Sequence, residues 1–96
     1  MSLKDIEQII IDVLNEIQII SGRETIPMSS ATCAIGDLPG FDSLNGIEAT
    51  LDISTKLGYD FDVDNLLVAE EGHRALTIGE IAERARDLME KAGVAK

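Results

Sequence analysis

Aromatic residues are almost missing from this chain, which has one Tyr, two Phe and no Trp in 96 residues. Apolar residues still make up 45% of it, so its core must come from Ile, Leu, Val, Ala and Met. That composition favours packing of aliphatic helix stripes. Cysteine occurs once, as Cys33, which excludes an internal disulfide and a multi-cysteine zinc site. The single histidine, His73, sits beside Arg74 and reads as a surface residue. No apolar run approaches the roughly 18 residues of a membrane span. Met1-Ser2-Leu3-Lys4-Asp5 lacks the basic region and small-residue cleavage site of a secretory signal. A cytoplasmic location is the expectation. The length suits a single domain over residues 1–96, with little room for a buried catalytic cavity.

Basic residues are also scarce: 8 against 18 acidic ones, for a net charge of −10. Nucleic acids and anionic membranes need basic patches, so neither is expected as a partner. The imbalance is local. Residues 41–71 hold eight acids and one base, Lys56, whereas residues 72–96 hold four acids and five bases. A field concentrated in this way suits either a solvated surface or a docking face for basic proteins.

Hydrophobic spacing supplies the helices. Leu3, Ile6, Ile10, Val13, Leu14, Ile17 and Ile20 recur at three and four residues, which predicts a helix over 3–20. Ser2 and Asp5 form its capping box, and Gly22 ends it. Residues 22–41 show no sustained period and hold Gly22, Pro27, Gly36, Pro39 and Gly40. They predict a long first loop, pinned to the core by Ile26, Met28, Ile35, Leu38 and Phe41. A second helix is predicted over 43–57, capped by Asp42 or Ser43 and stopped by Gly58. A short helical turn follows over 62–68, with Leu66, Leu67 and Val68 facing inward. A last helix runs over 78–92 behind a Thr77/Glu80 capping box, and Gly93 ends it. On it, Arg84, Arg86 and Lys91 are expected to pair with nearby acids at three or four residues. Tyr59 is expected to pack at the end of the second helix. The sum is an all-α fold of three main helices, a short third helix and one long first loop.

The second helix carries two stripes. At about 100° per residue, Leu44, Ile47 and Leu51 fall on one side, and Ala49, Ile53 and Leu57 on the other. A small bundle helix buries one broad stripe. The other must meet the long loop, a partner or a ligand. Glu48 and Asp52 border the Leu44 stripe, giving it the form of a docking face with apolar anchors and steering charges. Gly46, one turn in, costs about 1 kcal/mol of helix propensity relative to Ala. Such local conflicts cluster at functional sites or mark close packing against another backbone.

Ser43 opens this helix within Gly40-Phe41-Asp42-Ser43-Leu44. No histidine or lysine lies near it in sequence. It is a poor self-activated nucleophile and a good acceptor for a group that another enzyme attaches.

These residues, followed by Asn45-Gly46-Ile47-Glu48 and preceded by Asp37-Leu38, resemble the acyl carrier proteins. The order of elements is similar over nearly the whole chain. The resemblance implies a four-helix bundle of acyl-carrier type. It implies that Ser43 takes 4′-phosphopantetheine from coenzyme A by the action of a separate phosphopantetheinyl transferase. The thiol of that arm then holds acyl or aminoacyl groups as thioesters, and the protein is a non-catalytic carrier, expected as a monomer. Asp42, Leu44, Ile47, Glu48 and Leu51 match positions that face the loading and transferring enzymes. Ala49, Ile53 and Leu57 match core positions that flank a sequestered acyl chain. Asn45 stands where the family often has an acid, Ser54 and Thr55 replace later acids, and Lys56 adds a positive charge. That thinner acidic face points away from primary fatty acid biosynthesis and toward specialised lipid, polyketide or aminoacyl metabolism.

Two other functions fit parts of the chain. Residues 60–71 resemble an EF-hand calcium loop, with Asp60, Asp62 and Asp64 at positions 1, 3 and 5, Leu67 at 8 and Glu71 at 12. Asn65 stands where that loop has Gly, and Gly72 interrupts the helix that should follow. The fold also suits an interaction adaptor that keeps the carrier shape without modification.

Overall fold

The computed structural model describes residues 1–69 and 74–93. Four helices make up its regular structure: α1 (Leu3–Ile20), α2 (Ala34–Asp37), α3 (Ser43–Leu57) and α4 (Ile78–Lys91). Among the described residues there is no β-strand, only isolated bridges of Cys33 with Thr77 and Val68 with Ala75. No helix among them is long and apolar enough to cross a membrane.

Each long helix starts where its sequence supplies a cap. Ser2 Oγ accepts the Asp5 N–H at 3.2 Å, and Asp5 returns a carboxylate oxygen to the Ser2 N–H. The Asp42 carboxylate accepts the Asn45 N–H at 3.1 Å. Thr77 Oγ1 accepts the Glu80 N–H at 3.2 Å, and Glu80 Oε1 accepts the Thr77 N–H at 2.9 Å. Left-handed glycines close all three: Gly22 (φ +70) follows α1, Gly58 (φ +69) caps α3 and Gly93 (φ +74) follows α4.

α1 packs against both α4 and α3. The core is aliphatic. Ile6, Ile10, Val13 and Leu14 from α1 meet Ala49 and Ile53 from α3 and Ile78, Ile81, Ala82 and Ala85 from α4, all fully buried. Ile20 departs from the expected stripe, since it is 83% exposed. The last turn of α1 runs past the core, and its inward place is taken by Gln18. The buried Gln18 Nε2 donates to the carbonyls of Glu24 (3.2 Å) and Pro39 (2.8 Å), stapling both ends of the long loop to α1. Leu38 and Phe41 are buried beneath that loop, with Ile26, Met28 and Ile35 packed against the core.

The short helix lies elsewhere than expected. α2 is one distorted turn inside the long loop, with Gly36 at φ +115. Residues 62–68 are not helical: Asp64 is a bend and Leu66-Leu67 a turn. Their backbone groups find partners outside any helix. Asp60 takes the Asp62 N–H, Asn65 Oδ1 the Leu67 N–H, and Thr50 Oγ1 the Leu66 N–H. Arg84 Nη1 donates to the carbonyls of Leu66 (3.1 Å) and Val68 (2.7 Å). Side chains that offer such bonds compete with helix formation. The inward placement of Leu66 and Leu67 holds, whereas Val68 is half-buried. Arg84 thus serves the neighbouring segment through its side chain, a role its helical spacing did not suggest. Tyr59 follows α3 as expected, with its hydroxyl 3.4 Å from the Leu88 carbonyl and its ring edge-on to Phe61.

Two outcomes follow from these contacts. Thr50→Val keeps the side-chain shape but strands the buried Leu66 N–H. It should cost about 1–3 kcal/mol in urea unfolding. The Thr77 N–H holds the Glu80 carboxylate below its ordinary value of 4.5, and Arg74 assists at 3.3 Å. A depressed carboxylate stabilises the fold above its unfolded pKa, and that contribution is lost as the pH falls through the folded one. The stability difference between wild type and Glu80→Gln should therefore be constant above about pH 5 and vanish on further acidification, read by melting temperature against pH.

Candidate functional site

Ser43 is the first helical residue of α3, and its side chain is exposed. Among the described residues no base is bonded to its hydroxyl. Its backbone is fixed instead. The Asp42/Asn45 box sets the helix start, and Asn65 Nδ2 donates to the Ser43 carbonyl at 3.0 Å. The hydroxyl stands beside the free N–H groups and positive dipole end of a 15-residue helix. It is accessible and unactivated, suited to receiving a group rather than to attacking unaided.

The two stripes of α3 have separate environments. Ala49 and Ile53 are fully buried, and Leu57 is half-buried. Leu44 and Leu51 are 72% and 66% exposed, and Ile47 is 40% exposed. The long loop does not cover this second stripe. Asp42 and Glu48 flank it in solvent, and Asp52 is half-buried. Three large aliphatic side chains are thus left bare along one helix face. All five residues expected at a partner face are exposed: Leu44, Ile47, Glu48 and Leu51 along one side of the helix that Ser43 opens, and Asp42 at its N-cap.

Asn45 belongs to the same corner. Its amide nitrogen donates to Glu48 Oε1 at 3.3 Å, and its oxygen accepts Arg23 Nη1 at 2.9 Å. Arg23 lies over Gly40, where a Cβ would come within 2.9 Å of its Cδ and Nε and where φ is +71. The long loop thereby brings a cation to the start of α3. Arg23 is the sole base between Lys4 and Lys56, and nothing in its spacing marked it for this place.

An open groove of about 840 Å³ reaches Ser43 from the other side. Its apolar lining is Ile35, Val63, Val68, Ala69 and Ala75, with Asn65 and Arg84 among its polar edges. The resemblance had assigned a chain-flanking role to Ala49, Ile53 and Leu57, but these fill the core or its edge and do not line the groove. The apolar groove residues come from α2 and from segments on either side of the undescribed residues, where no helical period exists to collect them into one face.

The calcium loop does not assemble on the described part of its sequence. Asp60 uses a carboxylate oxygen to accept the Asp62 N–H at 3.0 Å, and Asp62 is left-handed at φ +55. Among the described residues no three acidic, histidine or cysteine side chains are grouped to hold a metal ion. Glu71, its twelfth position, lies outside the described residues, as do Gly72 and His73.

The exposed stripe and the buried one should respond differently to truncation. Leu44→Ala and Leu51→Ala should each change unfolding free energy by less than about 0.5 kcal/mol. Ile53→Ala should cost about 2–5 kcal/mol, measured in the same denaturant titrations. No family model matches the chain, and no curated protein or solved structure matches it either.

Proposed function

We propose that the protein is a carrier that holds acyl or aminoacyl groups on a 4′-phosphopantetheine arm attached to Ser43. The observation that carries this reading is an exposed serine at the first turn of α3, with no base of its own, beside the uncovered Leu44/Ile47/Leu51 strip. A transferase would join Ser43 Oγ to the pantetheine-side phosphorus of coenzyme A. The diphosphate bond breaks, the adenosine bisphosphate half leaves, and the serine proton passes to a base on the transferase. The residues present suit the product. A phosphodiester at position 43 meets the N-terminal end of a helix, which favours anions, and the exposed side chain gives the arm an unobstructed exit. When bound, the arm supplies a thiol that exchanges thioesters.

The chain's own residues then govern association. Leu44, Ile47 and Leu51 offer apolar anchors, Asp42 and Glu48 steer basic partners, and Arg23 and Asn45 interrupt the acidic margin. A face of mixed charge suits a specialised pathway rather than partners that read a uniformly acidic helix.

The deciding measurement is intact mass after incubation with a broad-specificity phosphopantetheinyl transferase, magnesium and coenzyme A. Wild type should gain about 340 Da, the mass of the covalent arm, and Ser43→Ala should gain nothing. A wild-type protein that stays unmodified while a control carrier is loaded would overturn the reading and leave an unmodified adaptor. An adduct that persists in Ser43→Ala would overturn the site.

A further inference from the structure

Gly46 and Asn65 are matched to each other, and the match reaches Ser43. Gly46 lies inside α3, where glycine is a poor helix former. Space explains it. A Cβ at position 46 would sit 2.7 Å from both Asn65 Nδ2 and Asn65 Oδ1. The amide in that space is engaged at both ends. Its nitrogen donates to the Ser43 carbonyl at 3.0 Å, and its oxygen accepts the Leu67 N–H at 3.0 Å.

Asn65 belongs to the segment that walls the groove, together with Val63, Val68 and Ala69. That segment is also held by Thr50, whose hydroxyl accepts the Leu66 N–H and donates to the Gly46 carbonyl, both at 2.8 Å. The contact between wall and helix is therefore short and polar, and it runs along α3 from Ser43 to Thr50. The Ser43 hydroxyl has no partner among the described residues to orient it. The direction in which Ser43 projects is set by its backbone, and Asn65 holds that backbone from outside the helix.

We infer that Asn65 is a positioning residue for Ser43, linking the groove wall to the backbone that presents the serine. The inference rests on the reading of Ser43 as the attachment point. Its physical content is a single planar amide with one end on the serine's carbonyl and the other in the wall. The glycine at 46 is the space this device requires.

The test uses unmodified wild type, Gly46→Ala, Asn65→Ala, Asn65→Asp and the Gly46→Ala/Asn65→Ala double variant. Three quantities are read: kcat and KM for modification by the transferase, amide exchange in the first turn of α3, and melting temperature. Asn65→Asp keeps an acceptor for the Leu67 N–H and loses the donor to Ser43, so it separates the wall's own turn from the tether. Both Asn65 variants should lower kcat about fivefold, the equivalent of one net hydrogen bond, with KM unchanged. Both should speed exchange at Gly46 and Ile47 while α1 and α4 keep their protection. Gly46→Ala should lower the melting temperature in the wild-type background and raise it in the Asn65→Ala background, because alanine then adds helix propensity without a clash. Equal kcat and equal exchange in wild type and Asn65→Asp would overturn the inference, as would the same sign for Gly46→Ala in both backgrounds. Failure of wild type to be modified would overturn the carrier reading instead, with exchange and melting still deciding the link.

Discussion

The irregular backbone between α3 and α4 depends on polar side chains sent into it from its neighbours. Among its described residues the only internal ladder is the Val68–Ala75 bridge. Thr50 from α3 and Arg84 from α4 take backbone groups of residues 65–68, and Asn65 turns its own amide to the same use. Gln18 does the same for the long first loop. A 96-residue chain with three aromatic residues has little apolar area with which to pin loops. Hydrogen bonds from helices into loops fill that gap, and unmet buried donors and acceptors are costly enough to make such bonds specific. The position of Ser43 follows from this arrangement, since the residue that steadies its carbonyl belongs to the irregular segment.

The helices were legible because period and capping agree. Aliphatic spacing marked α1, α3 and α4, and the Ser2/Asp5 and Thr77/Glu80 boxes placed two of their starts. Asp42 marked the third, although its reciprocal partner Asn45 lacks the usual acid. The short helix was misplaced. Ala34-Ile35-Gly36-Asp37 has no periodic stripe, whereas Leu66-Leu67-Val68 after three aspartates looks like a capped turn. The difference lies in tertiary contacts. Partners for the backbone of 65–68 come from residues as distant as Thr50 and Arg84, and no local pattern encodes them.

The candidate site divides the same way. Helical geometry separated Leu44, Ile47 and Leu51 from Ala49 and Ile53, and their exposures follow that division. Whether the long loop covered the outer stripe could not be read from spacing, because the loop's course depends on Gln18, Leu38 and Phe41. Arg23, Asn65 and the groove residues were invisible as a group, since the fold alone assembles them. Gly46 was noticed for its poor helix propensity, and its close contact is with the side chain of Asn65, not with another backbone.

The division of α3 into a buried stripe and a bare one bears on how such a chain diverges. Folding constrains Ala49, Thr50 and Ile53. Recognition would fall on Leu44, Ile47 and Leu51, which contribute little to the core. Selection for a new partner could rewrite the outer stripe while every contact that builds the bundle stays as it is. In α3 the residues that build the bundle and the residues left open to change are different residues of the same helix.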